Sequence, residues 1–312
     1  MFIIRQGLSF ALDTSLHRIN GYFMCRCAFL TMDDLKGYVS DDELTIEYLY
    51  DAGWTVEMVS WRKEYNWSQF DVVVIRTTWD YQNDPDIFLA VLESIDCSGA
   101  RLENPLELVR WNMQKTYLRY IASKGTSIIP TLWEEGALDT NKLGSFFDQL
   151  NTEEIIIKPM IGASAGHTFH LFRCKSNAKI DVLEKIFRRR AYMVQPFMPK
   201  IVEEGEFSLI YFEGMHSHTI LKTPKKNDFR VQEEHGGNIH SVVAEPELLQ
   251  SGQHVIDSLP QRPLYARADF VRTEQSTFAL MELELIEPTL YFRMDADSPM
   301  RFAHALTTRV SC

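Results

Sequence analysis

The sequence predicts an α/β protein in which an open, parallel α/β lobe precedes a region built mainly from antiparallel strands. The first observation is a regular alternation of strand and helix that begins at Cys25. The second is the continuous apolar run Asp71–Arg76, which is typical of a parallel strand covered on both faces. The third is a set of C-terminal segments with the appearance of antiparallel strands. Together they indicate two kinds of sheet in one chain.

The first lobe is predicted from its alternating elements. A strand at Cys25–Thr31 leads through an acidic loop to a helix from about Asp42 to Ala52, and Gly53 ends that helix as a C-terminal glycine should. A second strand follows at Thr55–Ser60. Residues 1–24 show neither clean periodicity nor a targeting pattern, and we treat them as an N-terminal extension.

The remainder of the chain is predicted to form two further lobes. Asn104-Pro105 punctuates the sequence and opens a helical stretch, Leu106–Lys124, which Gly125 ends. The predicted lobes are residues 25–105, a small central lobe at 106–190, and a C-terminal antiparallel lobe at 191–312. The strands predicted in the last two lobes are Glu154–Pro159, Thr168–Cys174, Glu206–Phe212, His218–Lys222, Tyr265–Val271 and Thr277–Ile286.

Composition and charge exclude several classes of protein. The balance of 45% hydrophobic and 24% charged residues excludes disordered and fibrous chains. A net charge of −11 argues against a general nucleic-acid binder, which needs surplus Lys and Arg. No apolar stretch reaches the ~20 residues of a membrane span. The five cysteines show no zinc-site spacing and are expected to be buried thiols, so we expect a cytoplasmic protein.

Carboxylates on a C-terminal strand point to a metal site. Glu282 and Glu284 alternate with leucines, so both side chains should lie on one face of the strand while the leucines pack behind. Two like charges on a half-buried face repel unless a cation lies between them. Asp269, on the preceding strand, is a natural third ligand for Mg²⁺. The alternative is a solvent-facing strand edge with alternating charges.

Basic residues from separate segments indicate an anion site. Lys158 ends an apolar strand before a loop of small residues, and such a loop lets backbone N–H groups approach phosphate oxygens. The loop residues concerned are Gly162, Ser164 and Gly166, and they lack the Walker spacing. Lys115, Lys222 and Arg230 are each consistent with an exposed surface charge, but the four segments are able to converge on one polyphosphate.

A substrate site is predicted at the end of the strand at Asp71–Arg76, because ligands of open α/β sheets bind outside the carboxyl ends of strands. The residues assigned there are Arg76, Thr78, Trp79 and Asp80. The alternative is a strand-terminating loop with a packed Trp. Arg293 is a candidate for binding a substrate carboxylate, because guanidinium groups suit that geometry; a surface arginine is the alternative.

The order of these motifs resembles the ATP-grasp superfamily, in its RimK/glutathione-synthetase-like branch, from about Cys25 to the C-terminus. The family binds magnesium with an Asp…Glu-x-Asn motif. The resemblance implies that Asp269 and Glu282 are Mg²⁺ ligands and that Glu284 stands where this motif usually has Asn. It implies that Lys115 and Lys158 lie over the ATP phosphates. It also implies that Gln195, Pro196, Phe197 and Met198 form the hinge that reads adenine, that Glu206 binds the ribose, and that Arg230 contacts the transferring phosphoryl group.

The N-terminal motifs resemble one subgroup of that branch, which includes the ligase that closes the D-cycloserine ring. The residues that carry this likeness are Arg76-Thr-Thr-Trp-Asp80-Tyr81, Asn104-Pro105 and Glu284-Leu-Ile-Glu-Pro288. The resemblance implies ATP, two Mg²⁺ ions (with Mn²⁺ as an alternative), and small-molecule carboxylate and amine substrates joined through an acylphosphate. Lys222 and Arg230 would be catalytic, and a homodimer is allowed. An ATP-dependent kinase and a non-catalytic nucleotide-binding regulator remain alternatives.

Overall fold

The structure is a computed structural model that describes residues 18–19, 22–162, 166–226 and 228–310. Within these residues no helix is long and apolar enough to cross a membrane. Cys27 is a buried free thiol, whereas Cys97 and Cys174 are free and exposed, and Cys25 is disulfide-bonded. The expectation of buried thiols therefore holds for Cys27 and not for Cys25, Cys97 or Cys174, and Cys312 lies outside the described residues.

The N-terminal lobe is a parallel sheet, as predicted. Its strands lie in the order β4-β3-β5-β6, and a short antiparallel pair, β1 with β2, precedes it. The elements are β1 Arg18–Ile19, β2 Tyr22–Phe23, β3 Cys25–Thr31, α1 Ile46–Asp51, β4 Trp54–Ser60, β5 Val72–Thr77, α2 Pro85–Cys97 and β6 Arg101–Glu103. The helix α2 has no predicted counterpart, although Pro85 at its first position is a helix-start signal.

Two short helices follow, α3 at Leu106–Met113 and α4 at Tyr117–Ser123. The prediction of one continuous helical stretch is therefore wrong. Gln114 has an extended backbone, and the amide of Lys115 donates to the carbonyl oxygen of Met160 at 3.0 Å instead of to the preceding helical turn. This tertiary contact turns Lys115 out of the helix and towards the end of a strand of the central lobe.

The central lobe is an antiparallel sheet in the order β7-β10-β8-β9. Its elements are β7 Leu132–Glu134, α5 Thr140–Gln149, β8 Glu154–Pro159, β9 Phe169–Phe172, α6 Ile180–Phe187 and β10 Tyr192–Pro196. Strand β8 has the predicted bounds, whereas α5 and α6 were not predicted. Because β10 pairs with both β7 and β8, a boundary placed after residue 190 separates β10 from its own sheet.

The C-terminal lobe is a five-stranded antiparallel sheet in the order β13-β12-β11-β14-β15. Its elements are α7 Lys200–Glu203, β11 Glu206–Phe212, β12 Met215–Thr223, β13 Asn238–Val242, α8 Pro246–Asp257, β14 Tyr265–Arg272, β15 Phe278–Glu284 and α9 Ser298–Arg309. All four strands predicted here are present, and β11 has the predicted bounds. The antiparallel class of this lobe is confirmed.

One core joins the first and last lobes through α9. The ring of Phe302 contacts Phe29 of β3 at a centroid distance of 6.2 Å and Phe212 of β11 at 5.6 Å. All three side chains are almost fully buried, in a cluster that includes residues of both sheets. Close packing of this kind resists relative movement of the two sheets. Loops from the two lobes are therefore held against each other, and this positions the site.

Candidate active site

A cleft of about 230 Å³ opens where the three lobes meet. Many residues singled out from the sequence line this cleft, although the chain separates them widely. They are Trp79, Lys115, Lys158, Gly162, Gly166, Gln195, Pro196, Phe197, Met198, Glu206, Lys222, Arg230, Glu282 and Glu284. Arg76, Thr78, Asp80, Asp269 and Arg293 do not line it. Ser164 lies outside the described residues.

The floor of the cleft is one polar face of the C-terminal sheet. Strand register places Glu206 opposite Lys222 and Arg267 opposite Glu284. Because side chains alternate along a strand, these groups and Glu282 share one side. The intervening Leu283 and Leu285 are 1% and 0% exposed, so the leucines pack behind the carboxylates as predicted.

Asp269 is held by basic and hydroxyl groups within this sheet. Its carboxylate accepts a hydrogen bond from Ser208 Oγ at 2.5 Å and from Arg267 Nε at 3.0 Å, and Lys222 Nζ lies 3.5 Å away. Burial raises the pKa of Asp269, but Arg267 and Lys222 more than offset that effect and lower the pKa to about 2. Asp269 is therefore an anion that is already neutralised by its neighbours.

Glu282 and Glu284 line the cleft and each pairs with a base. Lys115 Nζ donates to Glu282, and Arg267 Nη2 donates to Glu284. Burial raises the pKa of Glu282, but the attraction of Lys115 and Lys158 outweighs burial, so the net shift of the pKa is downward. For Glu284, burial outweighs the attraction of Arg267 and raises the pKa to about 7. The two neighbouring carboxylates thus differ in how readily they take up a proton.

Lys158 has no such partner. It is the penultimate residue of β8 and lines the cleft. No carboxylate among the described residues forms an ion pair with it, whereas Lys115 and Lys222 are paired. Burial lowers the pKa of Lys158. A desolvated ammonium group without a counterion favours the binding of an anion.

The predicted substrate residues of the first lobe are mostly turned away from the cleft. Arg76 is 2% exposed, and its Nη2 donates to Asp42 Oδ1 at 2.8 Å. Thr78 is fully buried. Asp80 accepts hydrogen bonds from Trp61 and Arg62 on the far side of the strand end. Only Trp79 of this group lines the cleft, where its ring lies 5.2 Å from that of Tyr38.

Arg293 is occupied by two carboxylates. Its Nη1 donates to Asp41 Oδ2 at 2.7 Å, and its Nη2 donates to Glu233 Oε2 at 2.5 Å. Asp41 belongs to the first lobe, and Glu233 lies in the loop of residues 224–237 between β12 and β13. Arg293 therefore joins two loops that border the cleft, and both of its terminal nitrogens donate to carboxylates of the protein.

The residues predicted to bind the nucleotide line another part of the cleft. Gln195 and the three residues after it follow the end of β10, where Gln195 Nε2 donates to Thr131 Oγ1 at 3.0 Å. The ring of Phe197 stacks on His170 at 4.1 Å. Arg230 reaches the cleft from the loop of residues 224–237 and pairs with Asp228 at 2.9 Å.

Arg267 and Tyr38 are among the cleft residues that were not singled out from the sequence. Arg267 lies two positions before Asp269, so strand alternation could have placed it on the same face. Tyr38 sits in a loop with no periodic signal. Glu287 lines the cleft at 7% exposure, and burial together with Glu284 raises its pKa to about 8, although Lys115 partly counters this. The sequence predicts that the segment from Glu287 to Arg293 borders the acceptor pocket, but it assigns the Glu287 side chain no role of its own.

The residues present fit a metal bound together with phosphate rather than a closed protein cage. Among the described residues no group of three His, Cys, Asp or Glu side chains is placed to hold a metal. Mg²⁺ is commonly held by one or two carboxylates plus substrate phosphates. Glu282 and Glu284 supply two carboxylates on the cleft floor. This donor set matches a nucleotide-bound divalent cation.

Comparisons with known proteins agree with this geometry. Residues 27–104 match the model "D-cycloserine synthetase DcsG, N-terminal domain", and residues 130–289 match "Prokaryotic glutathione synthetase, ATP-grasp domain". The cycloserine biosynthesis protein DcsG of Streptomyces lavendulae is 29% identical over 275 residues, which cover 83% of this chain and 90% of that protein.

Solved structures show the same fold. The crystal structure of D-cycloserine synthetase DcsG aligns with a TM-score of 0.82 at 24% identity, over 92% of this chain and all of that one. D-alanine–D-alanine ligase from Bacillus anthracis aligns with a TM-score of 0.65 at 13% identity, over 91% of this chain and 98% of that one. ATP-grasp ligases use ATP and a divalent metal and form carbon–nitrogen bonds. The chain belongs to this family: it is an ATP-grasp ligase with the ATP-grasp domain of the prokaryotic glutathione synthetase type.

Proposed function

We propose that the chain joins a small amino-acid-like carboxylate to an amine through an acylphosphate, at the expense of ATP. The observation that carries this proposal is Lys158, the cleft lysine that lacks a carboxylate partner among the described residues. It lies beside two carboxylates suited to a phosphate-bound Mg²⁺. Binding of a polyphosphate requires positive charge, which an unpaired lysine and a metal held by the neighbouring carboxylates would supply.

The proposed reaction has two steps, and the charged residues of the cleft serve the phosphate groups and the metal. A substrate carboxylate oxygen forms a bond to the γ-phosphorus of ATP while the bond to ADP breaks. An amine then attacks the acyl carbon, phosphate leaves, and the amine loses a proton. Lys115, Lys158 and Lys222 offset phosphate charge, and Glu282 and Glu284 hold Mg²⁺, for which we propose two ions. When bound, the metal neutralises charge on the phosphates.

Two arginines are assigned to the transferring group. Arg230 lies in the loop of residues 224–237, and Arg267 lies on the floor of the cleft, where it pairs with Asp269 and Glu284. Phosphoryl transfer depends on positioning and charge stabilisation more than on covalent chemistry. We propose that Arg230 stabilises the transferring phosphoryl group and the later oxyanion. Losing one such electrostatic contact typically costs ~10²–10³ in rate.

The test is ADP release with Mg²⁺ and ATP against amino acids and small carboxylates, each with and without an amine. Release that requires both an acid and an amine is expected for intermolecular joining. Release with one substrate alone and a product of the cyclised mass would indicate ring closure. A stable phosphorylated product without amine dependence would indicate a kinase instead. Arg230→Ala should keep ATP affinity and lose about 10²–10³ in kcat. A fully active Arg230→Ala enzyme would contradict the role of Arg230.

A further inference from the structure

The reaction proposed above gives no role to a buried histidine that lies behind the cleft. His218 is on β12, is 5% exposed, and does not line the cleft. Its Nε2 lies 3.0 Å from the carbonyl oxygen of Leu290. Because a carbonyl oxygen can only accept, Nε2 must carry a proton and donate it to this bond. His218 therefore connects the C-terminal sheet to the segment that follows β15.

A chain of hydrogen bonds determines which ring nitrogen of His218 carries the proton. Arg301 Nε, on α9, donates to Ser217 Oγ at 3.0 Å, so the hydroxyl proton of Ser217 must point to another acceptor. Ser217 Oγ lies 3.0 Å from His218 Nδ1. In the neutral ring Nδ1 accepts this proton, and Nε2 keeps its own proton for Leu290. Arg301 also donates to Asp295, which holds the guanidinium group in place.

The surroundings of His218 favour the neutral ring. Burial lowers the pKa of His218 to about 4, and Arg301 and His216 lower it as well, although the attraction of Asp295 partly counters them. Protonation would also place a second N–H group against Ser217 Oγ, which already accepts from Arg301. The neutral tautomer with the proton on Nε2 is thus the form that holds Leu290 at neutral pH.

The carbonyl that His218 holds lies directly before a left-handed residue. Tyr291 has φ 49° and ψ 45°, a conformation that non-glycine residues rarely adopt and that persists only where the surrounding structure holds it. Tyr291 lines the cleft, and the guanidinium carbon of Arg267 lies 5.9 Å from the centroid of its ring. Two positions further on, Arg293 donates to the loop of residues 224–237. The turn at Tyr291 therefore places two groups at the cleft.

We propose that His218 is a positioning residue of the ligase, whose Nε2–H group holds the carbonyl of Leu290 and thereby fixes the turn that carries Tyr291 and Arg293. His218 would act in this way for any acid and amine, so this role goes beyond the proposed function. Without the bond to Leu290, the left-handed turn loses a contact that holds it. A displacement of about 1 Å in a site of this kind can cost ~10²-fold in rate.

Variants of His218 separate positioning from packing. His218→Leu fills the space without a donor, whereas His218→Gln keeps an N–H group near the place of Nε2. At saturating ATP, His218→Leu should lose about ten- to a hundredfold in the rate of ADP release but bind a non-hydrolysable ATP analogue within about twofold of the wild type. His218→Gln should recover most of that rate. The matched control is His216→Leu, which removes a local hydrogen bond to Thr219 on the same strand and should stay within about threefold of the wild-type rate.

Two further measurements need no turnover, so they remain decisive if the proposed ligase reaction fails. Nitrogen-15 NMR of the histidine-labelled full chain should contain one ring signal that His218→Gln removes. That ring should remain the neutral Nε2–H tautomer from about pH 8 down to about pH 5. Tryptic cleavage after Lys225 or Lys226 should be several-fold faster in His218→Leu than in the wild type or in His216→Leu, because Arg293 no longer holds the loop.

The spectrum overturns the assignment if His218 is the Nδ1–H tautomer or titrates near the ordinary histidine pKa of about 6.5. The variants overturn it if His218→Leu turns over and is cleaved like the wild type, or if His218→Gln is as slow as His218→Leu. Should His218→Leu fail to fold, the tautomer and the rate of His218→Gln still decide. Faster cleavage of His218→Leu without any amine-dependent ADP release would leave His218 assigned to the turn and contradict the ligase reaction.

Discussion

At the scale of single residues, the cleft is defined by which charges have partners. Lys115 and Lys222 pair with Glu282 and Glu206, while Lys158 has no ion-pair partner among the described residues. Charge-assisted hydrogen bonds contribute about 1.5–3 kcal/mol each. A phosphate that binds Lys158 gains such a bond without first breaking an ion pair. Lys158 should therefore contribute more to ATP affinity than the other two lysines.

Replacing Lys158 tests this prediction. Lys158→Met should weaken ATP binding by at least tenfold, measured by equilibrium titration, whereas Lys175→Met, at an exposed position outside the cleft, should not. Burial lowers the pKa of Lys158, so the ammonium loses its proton at lower pH than an exposed lysine does. ATP affinity should accordingly fall as pH rises through that lowered pKa, and Lys158→Arg should remove the fall. Equal alkaline behaviour of wild type and Lys158→Arg would contradict the assignment.

At the scale of elements, side chains cover the outer edge of β15 beside Glu282 and Glu284, beyond the point where Leu280 pairs with the backbone around Ile128. Asn112 Nδ2 donates to the carbonyl of Leu283 at 2.9 Å, and its Oδ1 accepts from the amide of Leu285 at 2.9 Å. Tyr117 Oη accepts from the amide of Leu283. Helices α3 and α4 thus hold the strand that carries Glu282 and Glu284. A buried strand edge left without such partners costs free energy for each unpaired group.

The prediction for this edge concerns stability. Asn112→Leu keeps a similar volume but leaves one backbone carbonyl and one amide without partners, at about 1–3 kcal/mol each. The free energy of unfolding should fall by roughly 2–6 kcal/mol in denaturant titrations. The control is Gln149→Leu, which removes an exposed amide on α5 and should change stability by less than about 0.5 kcal/mol. An Asn112→Leu protein as stable as the wild type would show that the edge does not depend on Asn112.

At the scale of the whole molecule, Arg293 connects the lobes over the cleft. It joins Asp41 of the first lobe to Glu233 in the loop of residues 224–237, and that loop also carries Arg230. Lys225 and Lys226 of the same loop are exposed to solvent, so tryptic cleavage after these lysines reports how often the loop opens. Segments with few buried contacts open locally at low free-energy cost. Arg293 should therefore control how often this loop leaves the cleft.

Limited proteolysis measures that opening. Arg293→Ala should increase the rate of tryptic cleavage at Lys225 or Lys226 several-fold, because both carboxylate contacts are lost. Arg188→Ala removes an exposed pair with Glu184 on α6 and should leave this rate unchanged. Cleavage at the wild-type rate in Arg293→Ala would mean that other contacts hold the loop.

The sequence by itself determined the class of the lobes and the family of the enzyme. Strands β3, β8 and β11 have the predicted bounds because their apolar patterns and flanking turn residues are local signals. The placement of Glu282 and Glu284 on one face of the strand, with Leu283 on the other, follows from strand alternation alone. The resemblance to the ATP-grasp superfamily singled out most of the nucleotide-side candidates, and the structure shows that most of them line one cleft.

Only the tertiary structure decided which charged residues have partners. Arg76 and Arg293 look like substrate-binding arginines in the sequence, yet Asp42, Asp41 and Glu233 occupy them. Likewise the contact of Lys115 with Met160 breaks a predicted helix. Ion pairs and contacts between distant segments depend on how lobes pack, and local patterns carry no record of that packing. For the same reason, only the structure shows that Glu287 forms no ion pair with another described residue, whereas Glu282 and Glu284 do.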